Sequence, residues 1–330
     1  MLIKFFRSSF IIQYLALVVL SVGLWMPGFL KLQEIPAESS LVTPLYNLVH
    51  ALLLLLQPYN PIIAYVILLI SGLTLNNILV YHELTPKNNL LPAFIFILLF
   101  SSNPGTLNLY PLIITIPLFT WFLHTIYQVN DEPENSLAVF NASLILSVIS
   151  MIYFPAIVLF LLLWLILLVF GIFSGRNIII TLIGFFLPYL YLAFYYFWTD
   201  SLAEAGEAYL DFFLHLLTFR TGIDYLQYVI WGFLMFFMLF PAFFKITGTL
   251  GSYGISFRKK MAATNWFIVI ASPIIILSGR IEVNLVILIP ASIIVAHYFN
   301  IFKKSIWNEI VLLVFLLLLA VHNYLNYMNI

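Results

Sequence analysis

Between residues 199 and 224 five acid–base side chains follow one another: Asp200, Glu204, Glu207, Asp211 and His215, at spacings of four, three, four and four. On a helix those spacings align the groups along one face. The carboxylates of Asp200, Glu204, Glu207 and Asp211 are hard oxygen ligands suited to a divalent cation. Asp211 with His215 is in addition a pair able to give and take a proton. Leu210, Phe212, Phe213, Leu216 and Leu217 fall mostly on the other side. The stretch therefore reads as an amphipathic helix on a membrane surface, and a plainly solvated polar face explains the same stripe without a ligand. Just before it stand Tyr195, Tyr196 and Trp198. They fit either an interfacial aromatic belt or, with Arg220 beyond the stripe, a groove that grips a lipid chain or stacks on a sugar. Glu34 and Glu38 add two carboxylates after the first apolar segment.

What must position these groups is a membrane. Of 330 residues 64% are hydrophobic and only 8% are charged, where a soluble domain carries roughly 25% charged residues. A surface so poor in charge suits lipid, because a spanning helix satisfies its backbone internally and shows the bilayer only side chains. The net charge is zero and there is no cysteine. That excludes a basic nucleic-acid surface, disulfides, thiolate metal sites and cysteine nucleophiles. The first segment has Lys4 and Arg7 before a long apolar run with no small-residue cleavage site, and reads as a retained helix.

Apolar runs place spans near 10–30, 62–80, 91–103, 106–128, 137–151, 154–172, 178–198, 225–245, 262–279, 283–300 and 306–326. Each is judged against the roughly 20 residues needed to cross a hydrocarbon core. The third and fifth are short, and Pro92, Pro104, Pro111, Pro117 and Pro155 cluster around them, which predicts tilted or broken helices there. The segment 44–57, bounded by Pro58 and Pro61, reads as an interfacial helix. With the N-terminus inside, ten of the thirteen Lys and Arg residues fall on the inner side, and only Lys31, Arg220 and Arg280 fall outside. The expected fold is a single all-α polytopic transmembrane bundle of about eleven spans over residues 1–330, N-in and C-out. Outer segments lie near 31–61 and 199–224, and a basic inner loop near 246–261 ends in Arg258-Lys259-Lys260. That cluster reads as a topology determinant.

Ionisable side chains are nearly absent from the spans, which argues against an ion-coupled transporter, because a coupling ion is bound near mid-membrane. The six histidines, His50, His82, His124, His215, His297 and His322, show no His-x-x-x-His spacing, and read as core or interfacial residues. No Walker-type loop is present.

Short patterns resemble an uncharacterised family of polytopic inner-membrane proteins of Bacteroidetes-type bacteria. They are the opening Met1-Leu-Ile-Lys-Phe-Phe, Pro44-Leu-Tyr-Asn-Leu, Leu75-Asn76-Asn77, Asn88-Asn89-Leu-Leu-Pro92-Ala, Phe140-Asn141-Ala, Tyr153-Phe-Pro155-Ala and Phe186-Leu-Pro188-Tyr. That resemblance implies a bacterial inner-membrane location and no activity. The order of elements is similar to that of C-type membrane glycosyltransferases, which use polyprenyl-phosphate-linked sugars. It comprises a first span, an outer interfacial helix, short spans and a large outer loop after the seventh. The likeness implies Glu34 as a base at the acceptor, whereas the outer loop Ser101-Ser102-Asn103-Pro104-Gly105-Thr106 lacks the carboxylate of that family. The expected function is a non-catalytic subunit or scaffold of envelope assembly with membrane-protein partners. The alternatives are a glycosyltransferase-like enzyme acting on a polyprenyl-phosphate lipid, with a divalent cation as possible cofactor, and a transporter.

Overall fold

Two short apolar helices are the most buried of those described. The computed structural model describes residues 2–30, 45, 51, 54–56, 59–102, 109–132, 136–216, 229–230, 232–277, 285–301 and 306–328. Among these residues all regular structure is helical. In chain order the helices are α1 (Leu2–Phe6), α2 (Ile11–Leu30), α3 (Asn60–Tyr81), α4 (Leu91–Phe100), α5 (Pro111–Asp131), α6 (Ser136–Ile152), α7 (Phe160–Phe170), α8 (Gly175–Trp198), α9 (Leu202–Leu216), α10 (Phe240–Thr249), α11 (Ile255–Leu277), α12 (Leu288–Ile301) and α13 (Ile306–Met328). A 3₁₀ turn, Phe154–Leu159, leads into α7, and a π-helical stretch, Leu234–Leu239, leads into α10. Among the described residues five helices, α2, α3, α5, α8 and Ile306–Leu325 of α13, are long and apolar enough to cross a membrane.

All ten residues of α4 are buried, as is Leu288–Phe299 of α12, and the two helices pack on each other. A helix apolar on every face has no solvent side, so its place is the middle of the bundle. At 1.5 Å per residue α4 covers about 15 Å, half a hydrocarbon core. Its last carbonyls therefore end among side chains and need donors. The Ser101 and Ser102 hydroxyls bond back to Ile97 O and Leu99 O, and Asn323 Nδ2 bridges Leu24 O at 3.1 Å and Ser101 O at 3.0 Å. Trp25, fully buried, donates to Ser101 Oγ at 2.9 Å. The short third span expected around 91–103 is thus a half-length helix capped from α2 and α13.

Around this core α3 packs on α4 and α5, α5 on α6, and α6 on α8. The closest crossing is at Gly184 of α8, where an added Cβ would lie 2.1 Å from Ser143 Oγ and 2.9 Å from Phe140 O of α6. Small residues let apolar helices approach this way, since lipid supplies no hydrophobic drive for association.

One end of the bundle gathers the basic segments. Leu90 N donates to Phe6 O, Arg7 to Phe299 O, Lys259 Nζ to Phe170 O at 2.7 Å, and Asn89 Nδ2 to Asn300 Oδ1 at 2.8 Å. Glu309 accepts from the Ile3 and Lys4 backbone amides. The stretch 246–261, expected as a loop, is mostly helical. α10 runs to Thr249, and α11 starts at Ile255 and takes Arg258-Lys259-Lys260 into its first two turns. That choice gives the three cations fixed directions along a helix instead of a mobile loop.

Candidate functional site

Three members of the acidic stripe expected to do chemistry lie on α9. Glu204, Glu207 and Asp211 are exposed, and Asp200 sits in the preceding turn with φ +53°. α9 touches the bundle along a narrow line through Ala205 and Tyr209, and the Tyr209 ring lies 6.0 Å from Phe154 and 6.4 Å from Tyr189. Leu202, Leu210 and Leu214 remain exposed, as an interfacial helix requires. Tyr195 and Trp198 are exposed and Tyr196 is half-buried at the end of α8. Glu34, Arg220 and the segment 31–44 lie outside the described residues, as does the side chain of His215. Among the described residues no group of three His, Cys, Asp or Glu side chains converges on a possible ion.

A cluster of ionisable groups lies at the opposite, basic end, with His82 and Lys260 buried, His124 half-buried and Asp131 exposed. α3 closes at Tyr81, and His82 caps it, its N–H bonded to Ile78 O at 3.0 Å. α5 carries His124 and Asp131 seven residues apart, two turns along one face. α11 brings Lys260 from its second turn. His82 Nδ1 lies 2.8 Å from Asp131 Oδ2, and His82 Nε2 lies 2.9 Å from His124 Nδ1. Lys260 Nζ reaches Asp131 Oδ1 at 2.6 Å and Oδ2 at 2.9 Å, and donates to His82 O at 3.2 Å. Ser256 Oγ donates to Asp131 Oδ1 at 3.4 Å and accepts from Asn130 Nδ2 at 2.8 Å. Beneath them Tyr127 OH and Thr264 Oγ1, 2.8 Å apart, lock α5 to α11. The whole assembly joins three elements through residues up to 178 positions apart.

The hydrogen bonds fix the imidazole tautomers. The Asp131 carboxylate, beside an ammonium, only accepts, so His82 donates from Nδ1 and its Nε2 keeps a lone pair. His124 therefore donates from Nδ1, and its own Nε2 ends the chain as a free base. His124 lines an elongated cavity of about 500 Å³ between α3 and α5, together with Thr74, Asn77, Tyr81 and Trp121. Tyr81 and Trp121 are exposed on the outside of the bundle, so the cavity opens sideways. A proton arriving at His124 Nε2 can be passed from His124 Nδ1 to His82 Nε2, and Asp131, kept ionised by Lys260, holds the His82 tautomer and stabilises the imidazolium that forms.

Burial holds His82 below the usual histidine range, and its hydrogen bond to Asp131 only partly counters this. The groups facing it are Asp131, Lys260 and His124, with the Tyr81 and Tyr127 rings against its flanks. A histidine whose folded pKa is depressed stabilises the fold fully above its unfolded pKa of about 6.5, and that stability is lost as pH falls below it. The detergent-solubilised protein is therefore expected to melt at lower temperature as pH is lowered from 7.5 towards 5. The His82→Gln variant should show a shallower pH dependence over the same interval. Equal slopes would mean that His82 titrates alike in both states.

The sequence pattern held one usable signal for this site, the seven-residue spacing of His124 and Asp131 on one predicted helix. Lys260 was hidden inside a run read as a topology signal, and His82 is 42 positions from its partner histidine.

Fold and site together define the chain as a helical protein with several membrane-length apolar helices and a partly buried, charge-paired histidine chain at its basic end. Compared with known protein families, curated proteins and solved structures, the chain matches none.

Proposed function

We propose that the chain is a multi-pass protein of a bacterial inner membrane, with about eleven spans and its N-terminus inside. In this reading it performs acid–base work at the inner face on an amphiphile lying in the cavity between α3 and α5. The observation that carries the reading is the unbroken hydrogen-bonded chain Asp131–His82–His124, which ends on a cavity open to the side. A free imidazole nitrogen with a proton path behind it is the arrangement general acid–base chemistry needs. Apolar walls with a few polar groups (Thr74, Asn77 and His124) suit a ligand with an acyl or prenyl chain and a polar end. The gathering of basic segments at this end supports its assignment to the inner face.

A second reading puts the chemistry on the outer face, with Glu34, Asp211 and His215 acting on a polyprenyl-phosphate-linked sugar. Its support is the packing of Tyr209 against Phe154 and Tyr189, which presents the acidic side of α9 to the surroundings. One complementation experiment separates the two, with membrane-fraction protein levels monitored in a deletion strain. The inner-face reading expects His124→Gln to lose function at normal protein level, while Glu34→Gln and Asp211→Asn remain functional. The reverse pattern transfers the site to the outer face. Silence of all three overturns both in favour of a scaffold.

A further inference from the structure

On the far side of the turn that carries His82 lies a second cavity, of about 600 Å³, lined by Glu83, Lys87, Tyr253, Phe257, His297 and Asn300 with a few aliphatic neighbours. Its wall is aromatic: Tyr253 and Phe257 stack at 4.4 Å, and the His297 ring sits 5.0 Å from Phe257. His297 is 7% exposed, and Asn300 accepts from Asn89 through Oδ1. Among the described residues His297 Nε2 and Asn300 Nδ2 are buried behind this lining without a hydrogen-bond partner. The mouth holds one cation, Lys87, and one anion, Glu83, both exposed and not ion-paired among the described residues. Glu83 and Asn88 both hold positive φ, +60° and +59°, a conformation that is uncommon outside glycine.

We propose that this cavity binds the headgroup of a zwitterionic aminoalkyl phospholipid. Lys87 meets the phosphate; Glu83 takes the ammonium; the Tyr253–Phe257 wall covers the glycerol and the first methylenes. Charge complementarity selects this occupant. Phosphatidylglycerol offers Lys87 the same phosphate but sets hydroxyls in place of an ammonium before Glu83, leaving that carboxylate without its counter-charge, and an uncharged lipid would leave both charges unused. The cavity's position at the ends of α3 and α12 and the start of α11 puts it at headgroup depth under the proposed topology. It lies beside the relay without sharing a side chain with it.

The test is native mass spectrometry of the full-length protein in mild detergent, titrated with phosphatidylethanolamine, phosphatidylglycerol or phosphatidylcholine. The expected result is about tenfold preference for phosphatidylethanolamine over phosphatidylglycerol. Glu83→Gln should erase that preference, and Lys87→Met should weaken both lipids. Phosphatidylcholine should fall between them, because its methylated ammonium cannot donate to Glu83. Competition by soluble O-phosphoethanolamine would show that the headgroup alone is recognised. Failure to compete, with the lipid preference intact, would show that the glycerol and chains are needed as well. Equal retention of phosphatidylethanolamine and phosphatidylglycerol by the wild type, or a preference unchanged in Glu83→Gln, overturns the proposal. Neither outcome touches the His82–His124 relay, whose variants are different residues.

Discussion

Asp131→Asn is expected to destabilise the protein by about 1–2 kcal/mol, below the range for breaking a fully buried ion pair because solvent screens the half-open carboxylate. The reason is the partner left behind. The Lys260 side chain is 5% exposed and that of Asp131 is 36% exposed. Removing the carboxylate strands a buried ammonium on a neutral amide and the His82 carbonyl, whereas removing the ammonium leaves a carboxylate that still meets solvent, His82 and Ser256. Lys260→Met should accordingly cost less than Asp131→Asn, and the double variant should recover at least half of the single loss. Thermal unfolding in detergent of the four proteins makes a double-mutant cycle that isolates the coupling. If the two single variants were equally damaging and additive, the pair would not be bonded as described. The same variants bear on function, since asparagine carries no charge to stabilise a His82 imidazolium, so the double variant should regain stability without regaining activity.

The second large effect is expected at Gly184. Replacement by leucine forces Cβ into the Ser143 hydroxyl and the Phe140 carbonyl of α6. The hydroxyl can rotate away, but the carbonyl belongs to a helix backbone and cannot. Overpacking a helix crossing in this way costs about 1–3 kcal/mol, and leucine adds a bulky side chain beyond Cβ that belongs at the top of that range. Gly184→Ala is the more instructive variant. Its helix propensity rises by about 1 kcal/mol, so any net loss measures the clash directly. Adding Ser143→Ala removes the nearer obstacle, at 2.1 Å, and should return part of the stability. A Gly184→Ala protein that melts higher than wild type would mean that α6 and α8 stand further apart. α8 has few other anchors: only Thr181, Gly184 and Phe185 are buried along it, with Tyr189 OH bonded to Ser150 Oγ at 2.8 Å. Its loosening would therefore release Tyr189 and, through it, the ring contact that seats α9.

The half-length helix α4 was legible as a short apolar run hemmed in by prolines, but its burial was not, because a helix apolar on every face suits lipid as well as the bundle's core. Its capping by Asn323 was not legible, because 222 positions separate donor and acceptor. The acidic stripe of α9 was readable from i, i+4 spacing, since a helix converts spacing into a face by local geometry alone. The histidine relay defeated the same logic. His82 stands in a turn, where no period assigns a direction, and Lys260 stands among three consecutive cations of which only the bundle's order turns one inward.

Composition and hydropathy by themselves determined the solvent. A chain with 8% charged residues and long apolar stretches belongs in lipid, because transfer of apolar side chains depends on what they are and not on which others they meet. Which polar side chains meet was decided only by tertiary structure. Once every helix face is apolar, the sequence no longer marks the face that looks inward. The pairing of His82 with His124 and of Asp131 with Lys260 then follows from which helices become neighbours, a choice made by close packing at residues such as Gly184 and by the capping of short helices.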